Sequence, residues 1–277
     1  MSVVVTGACE TCPAYHSAAL KKLGLNVENF DYVVALAGNP NTGKSTVFNA
    51  LTGLRQHVGN WPGKTVARAE GGFAYEGKNY KLVDLPGTYS LLSTSTDEEI
   101  ARDFILFGQP SVTVVVVDAT RLERNLNLAL QILEITDRVV VALNLMDEAR
   151  RHGLKVDDRH LARELGVPVV PMAARRGQGI PELLDAVAQV AAGRFVTRPH
   201  RIHQRDARLE QAVENLVAAL NQEFPGLPNA RWVALRLLDG DASIEQAVRD
   251  RTLGDLTRGQ SVLPAPVSDR IPLEVAS

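Results

Sequence analysis

Cysteine is nearly absent from the chain: Cys9 and Cys12 are two residues in 277, with His16 close behind them. A disulfide-stapled scaffold is thereby excluded. A tetrahedral metal site would need further ligands, and there is no second Cys pair to supply them. The pair is expected to lie in a reduced segment outside the core. An excess of charge is missing too: the formal net charge is −2, so nothing in the total points to nucleic acid. Long apolar runs are lacking as well. The longest, such as Tyr32–Ala37 and Val139–Leu143, fall far short of the ~20 residues that a membrane span requires. No basic, apolar leader opens the chain, and no repeat or low-complexity tract interrupts it. The given polypeptide is expected to be soluble, and its 45% hydrophobic content suffices for a packed core.

Against these absences stands Gly38-Asn-Pro-Asn-Thr-Gly-Lys-Ser45, set between a strand-like run at Tyr32–Ala37 and a helix-like run at Lys44–Leu54. In that setting Gly-x-x-x-x-Gly-Lys-Ser predicts a phosphate-binding loop. Backbone N–H groups of Gly38, Asn39, Pro40's neighbours, Asn41, Thr42, Gly43 and the helix start through Thr46 would wrap a β-phosphate. Lys44 would reach the β- and γ-oxygens, and Ser45 would ligate Mg²⁺.

Strand and helix patterns alternate from Phe30 to about Arg194. Strands are expected at Tyr32–Ala37, Thr65–Tyr75, Lys78–Asp84, Val112–Asp118, Arg138–Asn144 and Pro168–Met172. Helices are expected at Lys44–Leu54, Asp97–Phe107, Asn125–Thr136, Asp157–Leu165 and Pro181–Ala192. Runs such as Val112–Val117 are apolar on both faces, as in a parallel sheet covered on each side. The strands at 65–84 meet around Glu76-Gly77 and predict one antiparallel edge hairpin. The fold class is α/β: a doubly wound, Ras-like P-loop GTPase sheet followed by a small all-α domain. The domains expected are an extension over 1–30, a G domain over 31–198, a helical domain over 199–265 and a tail over 266–277. Leu209, Val213, Leu216, Val217 and Leu220 form the apolar stripe of the first helix of that second domain.

Leu82-Val-Asp-Leu-Pro-Gly87 places a carboxylate, Asp84, at a strand tip, suited to Mg²⁺ held partly through water. The Gly87 N–H is placed to meet a γ-phosphate oxygen, and glycine lets the backbone swing when that phosphate leaves. Asn144-Leu-Met-Asp147 offers a carboxylate able to accept two hydrogen bonds from guanine N1 and N2, a donor pair adenine lacks. GTPases commonly place Lys where Leu145 stands, so base stacking here is apolar. The loop Ala173-Ala174-Arg175 is expected to offer a backbone N–H to guanine O6. In Val58–Thr65, Thr65 fits the threonine that completes the Mg²⁺ and γ-phosphate shell in a mobile switch loop. Thr88 stands where Ras-type GTPases carry their water-orienting glutamine. Asn41 offers another route: its side-chain oxygen can help hold a monovalent cation, K⁺, against the β,γ-bridging oxygen. Lys44, Asn41, Thr65 and Gly87 are thus the expected catalytic set, with local capping the competing reading for Asn41.

The stretches Gly38–Thr52, Val58-Gly-Asn-Trp-Pro-Gly63 and Asp84-Leu-Pro-Gly-Thr-Tyr-Ser-Leu91 resemble the amino-terminal G domain of ferrous-iron transport protein B (FeoB). Arg231-Trp-Val-Ala-Leu-Arg-Leu-Leu-Asp-Gly240 is similar to the helical domain that follows it in that family. The resemblance implies a regulatory GTPase with slow, K⁺-stimulated hydrolysis on the cytoplasmic face of the bacterial inner membrane. It further implies an Fe²⁺ permease in the same polypeptide beyond this piece, and small accessory proteins of the iron-transport system as partners. The helical domain would couple nucleotide state to the permease. The alternative weighed is an RNA-associated GTPase of ribosome assembly or tRNA modification. Such proteins usually add a basic RNA-binding module, and no such signature follows residue 200.

Overall fold

A computed structural model describes residues 20, 25–53, 56–62, 64–92, 95–201 and 206–253. Cys9, Cys12, His16, most of the Ser17–Leu23 pattern and the tail after 265 lie outside the described residues.

Sheet formation follows from period-two patterning. In β1 (Tyr32–Gly38), Val33, Ala35 and Ala37 join one apolar layer while Val34 and Leu36 join the other. β5 (Val112–Asp118) is buried at all seven positions, with Val115 and Val117 in the first layer and Val114 and Val116 in the second. β-Branched side chains on both faces fit a strand sandwiched between helices. The remaining strands are β2 (Gln56–Asn60), β3 (Ala67–Tyr75), β4 (Lys78–Asp84), β6 (Val139–Asn144) and β7 (Val169–Pro171), in the spatial order β2-β3-β4-β1-β5-β6-β7. β4, β1, β5, β6 and β7 run parallel. Their carboxyl ends therefore share one edge, and the loops leaving them converge there.

The second layer is covered by α1 (Lys44–Thr52), through Val47, Phe48 and Leu51. α2 (Thr96–Leu106) and α3 (Leu122–Ile135) cover the first through Phe104, Leu128 and Ile132. The Ser95 side chain accepts from the Glu98 N–H, one half of a capping box that closes the start of α2. Two short helices, α4 (Met146–Arg151) and α5 (Asp158–Leu165), follow β6, and α6 (Ile180–Ala191) packs with α1.

The antiparallel portion is larger than one hairpin. The β3–β4 turn is a two-residue one at Glu76 (φ 49°) and Gly77 (φ 71°), with Tyr75 paired to Lys78. β2 then adds antiparallel outside β3, so part of the segment expected to be a loop is an edge strand. Its polar sequence has no alternating apolar face and Val58 is exposed, so pairing with β3 organises it. β3 begins at Ala67 rather than Thr65. Lys64–Val66 turn instead, with the Trp61 N–H donating to Val66 O at 3.0 Å.

Helices α7 (Ala207–Glu223), α8 (Ala230–Leu238) and α9 (Ala242–Arg249) form the helical unit, each opened by a capping side chain: Asp206, Asn229 and Asp241. Val213 and Leu220 of the α7 stripe are buried. Trp232, Val233 and Ile244 belong to the same apolar layer as Phe104 and Leu128, so the core runs unbroken from the sheet into this unit. Asn229 Nδ2 also donates to the Glu134 and Ile135 carbonyls at 2.9 Å, closing the end of α3.

Candidate functional site

The loop after β1 is shaped by close approaches. A Cβ at Gly38 would stand 2.7 Å from Val116 O, so only glycine lets β1 run this tightly against β5 at its tip. Gly43, at φ 82°, caps α1 from the left-handed region, and a Cβ there would collide with Asn144 Nδ2. Because no side chain caps α1, its first N–H groups face the loop unoccupied by protein acceptors. Thr42 Oγ1 donates to Asn39 O at 3.0 Å. Asn41 (φ 66°) is exposed, and among the described residues its side chain makes no hydrogen bond. Ser45 and Thr46 are exposed in the first turn of α1, and Pro40 is exposed beside Asn41.

Lys44 points at the tip of β4, where its Nζ forms an ion pair with Asp84 and donates to Leu85 O at 2.7 Å. Burial pushes the Asp84 carboxyl above the ordinary carboxylate value, and the Lys44 charge works against that shift. Gly87 lies against Pro40, with an added Cβ only 3.5 Å from the proline ring. Thr88 is buried. Tyr89 is exposed and carries the Arg124 guanidinium over its ring at 4.3 Å. Ser90 Oγ donates to Glu98 at 2.7 Å and the Leu91 N–H to Gln131 at 2.7 Å, fastening this segment to α2 and α3.

Thr65 is exposed in the turn between β2 and β3, and among the described residues it makes no hydrogen bond to Ser45, Asp84 or the phosphate loop. Its neighbour Trp61 is buried, packing edge-on against Phe104 with ring centres 5.5 Å apart and beneath the Arg68 guanidinium. The switch-like segment is thus tethered at one end by an aromatic anchor.

Asn144 spends both polar atoms inside the protein. Its Nδ2 donates to Thr42 O and its Oδ1 accepts from the Ala174 N–H, both at 3.0 Å, so it pins the phosphate loop to the loop after β7. Asp147 sits apart, partly exposed, with Arg176 Nε 3.0 Å from its carboxylate. Arg176 was not anticipated; its position directly after Ala173-Ala174-Arg175 was the available signal. In that loop the Ala173 N–H donates to Gln178 O and the Ala174 N–H to Asn144. Among the described residues this leaves Arg175 as the one of the three with a free N–H. Leu145 takes the left-handed conformation at φ 61°, which bends the chain so that Asp147 enters the first turn of α4.

Residues 32–187 match the family model for ferrous iron transport protein B, and residues 206–261 match that for the FeoB cytosolic helical domain. The Fe(2+) transporter FeoB of Salmonella typhimurium LT2 is 46% identical over 212 residues, 75% of this chain and 27% of that protein. The chain therefore spans about a quarter of the length of the curated relatives it matches. The cytosolic domain of L. pneumophila FeoB superposes with a TM-score of 0.71 at 35% identity, covering 83% of this chain and 90% of that one. The cytosolic domain of T. maritima FeoB in a GDP form gives 0.71 at 37% identity, covering 81% and 91%. With its phosphate loop, mixed seven-stranded sheet and fused helical unit, the chain belongs to the ferrous iron transport protein B family, of which it comprises the G domain and the cytosolic helical domain.

Proposed function

We propose that this chain binds and slowly hydrolyses GTP as the regulatory part of a ferrous-iron transporter, with its switch segments coupled to the helical unit. The observation that carries the reading is the phosphate loop: an uncapped α1 N-terminus opening beside the Lys44–Asp84 pair at the convergent edge of the sheet. Relatives bearing the FeoB name are Fe(2+) transporters, and the T. maritima domain is seen in GDP forms. The RNA-associated alternative gains nothing from these relatives.

Bound GTP would draw Lys44 from Asp84 and Leu85 O onto the β- and γ-oxygens, where its charge lowers the cost of phosphoryl transfer to water. Ser45 and Asp84 are hard oxygen donors suited to Mg²⁺, with Thr65 joining when its turn closes; the ion neutralises charge shared by the β- and γ-oxygens. Asn41, exposed and without a hydrogen-bond partner among the described residues, is suited to K⁺ and to charge stabilisation at the bridging oxygen. The Gly87 N–H meets the γ-phosphate. Asp147 reads guanine, exchanging its Arg176 contact for the base, while the Arg175 N–H reaches O6. Asn144 supports that pocket by holding its walls. The coupling route runs along α2: it starts four residues after Leu92, and its Arg102 reaches Ser243 Oγ of α9 at 3.4 Å.

Among the described residues no helix is long and apolar enough to cross a membrane. The permease would be supplied by the rest of the polypeptide, placing this part on the cytoplasmic face of the bacterial inner membrane, with small accessory proteins as further partners. Fluorescent guanosine nucleotides should show saturable, Mg²⁺-dependent uptake, and phosphate release from GTP should be faster in KCl than in NaCl. Well-folded protein with no saturable uptake refutes the proposal; equal rates in the two salts refute its K⁺ part.

A further inference from the structure

A cavity of about 350 Å³ flanks the outer side of the phosphate loop, and none of Lys44, Ser45, Asp84 or Asp147 lines it. Its walls are Asn39–Thr42, the β5–α3 junction at Asp118–Asn125, Leu145 with the start of α4, and Tyr89. Asn39 is the unusual member. It is 3% exposed, its Nδ2 is shielded from solvent, and among the described residues that N–H₂ has no hydrogen-bond acceptor. A buried donor left unmet is costly, so its presence points to an acceptor that enters the cavity.

Two carboxylates and two guanidiniums face the cavity, and both carboxylates already have protein partners while the guanidiniums have no carboxylate among the described residues. Asp118 already accepts at Oδ1 from the Thr120 N–H and hydroxyl, both at 2.7 Å, and Glu148 is paired with Arg151 at 3.3 Å. Asn125 is spent on Asp118 N and Arg121 O. Arg121 and Arg124 belong to no ion pair among the described residues; Arg124 rests only on the neutral Tyr89 ring. α3 also starts here with no side-chain cap. Two guanidiniums, an amide donor and a helix start suit a tetrahedral oxyanion.

We propose that this cavity is a holding site for inorganic phosphate, taking the γ-phosphate after cleavage and before it reaches solvent. This rests on the GTPase reading above. Pro40 divides the cavity from Gly87, the expected γ-phosphate contact, and the Tyr89–Arg124 stack closes it on the switch side. Hydrolysis itself supplies the ligand, and no further bond forms or breaks.

The test is a phosphate titration followed by ³¹P NMR line broadening and calorimetry, on protein loaded with Mg²⁺ and the non-hydrolysable analogue GMPPNP so that the γ position is filled. Saturable phosphate binding is expected, weakened about tenfold in Arg124→Gln and more in Arg121→Gln/Arg124→Gln, while GMPPNP affinity and thermal melting stay unchanged. During turnover, wild type should show phosphate inhibition and a lag in phosphate release that the double variant loses; inhibition without the lag marks capture of bulk phosphate only and overturns the product-holding role. Binding to GDP-loaded but not GMPPNP-loaded protein places the anion at the γ position and overturns the site, as does equal binding by wild type and double variant. Failure to retain GMPPNP is seen before phosphate is added and counts against the nucleotide reading alone. In that event the difference between wild-type and double-variant titrations of nucleotide-free protein still decides the cavity.

Discussion

Replacing Asn144 by alanine should damage two loops at once. The side chain is 1% exposed, and its amide bridges Thr42 O and the Ala174 N–H at 3.0 Å each. Alanine leaves a buried carbonyl and a buried N–H unmet, each costing roughly 1–3 kcal/mol. Taking the lower half of that range gives about 3 kcal/mol in all. At ~2–4 °C per kcal/mol for a domain of this size, the melting temperature of nucleotide-free protein should fall by about 6–12 °C. GDP affinity should fall with it, by at least about tenfold, because the phosphate loop and the loop after β7 lose their common tether. Differential scanning calorimetry and mant-GDP fluorescence report the two losses. Asn144→Asp sharpens the comparison: it keeps an acceptor for the Ala174 N–H but turns a carboxylate oxygen toward Thr42 O, and should be no more stable than the alanine variant. Asp147→Ala, by contrast, should lose affinity with little change in melting, because that carboxylate is partly exposed. An Asn144→Ala protein that melts within about 0.5 kcal/mol of wild type, a shift typical of neutral surface changes, would refute the bridging argument.

Three further outcomes are expected. Asp147→Asn should weaken GTP binding and shift base choice toward xanthine nucleotides; unchanged guanine selectivity by calorimetry counts against its role as base reader. Asn41→Ala should abolish stimulation by K⁺ while GDP binding is largely retained, and steady-state hydrolysis in matched KCl and NaCl decides it. The raised Asp84 value means that, as pH falls, this carboxyl protonates before an ordinary carboxylate near 3.8 does, so Mg²⁺ enhancement of GTP affinity should fade early. The linkage has the same sign: native Asp84 binds its proton more tightly than the unfolded chain does. Its contribution to stability is therefore full below 3.8 and is lost as pH rises through the raised native value. Asp84→Asn should flatten both profiles, as pH-resolved melting and nucleotide titrations will reveal.

The sheet was readable because its strands announce themselves twice, by valine content and by the loops that end them. Val112–Asp118 is the clearest case: a short, valine-rich run marks a strand covered on both faces, and all seven of its positions are buried. β2 was not readable: Gln56–Asn60 has no apolar face and is a strand because β3 offers it hydrogen bonds. α4 is six residues long and begins at a left-handed Leu145, a backbone state that leucine does not advertise. Motif reading placed Asn144 and Asp147 in one site but not their division of labour. Only the fold shows that one is consumed in joining loops while the other stays accessible. The Arg176 contact and the Tyr89–Arg124 stack join residues that are 29 and 35 positions apart in the chain, and local pattern holds no trace of them.

Helix α2 touches three regions that must answer to one another. Phe104 meets the indole of Trp61, Glu98 receives the hydroxyl of Ser90, and Arg102 extends to Ser243. Under the proposed coupling such a rod would act like the beam of a balance, a tilt imposed at either pan being registered at the other. Under the coupling proposed above, whatever docks on the helical unit from outside would have a mechanical hold on how readily the nucleotide pocket opens, and the pocket would have the same hold in return.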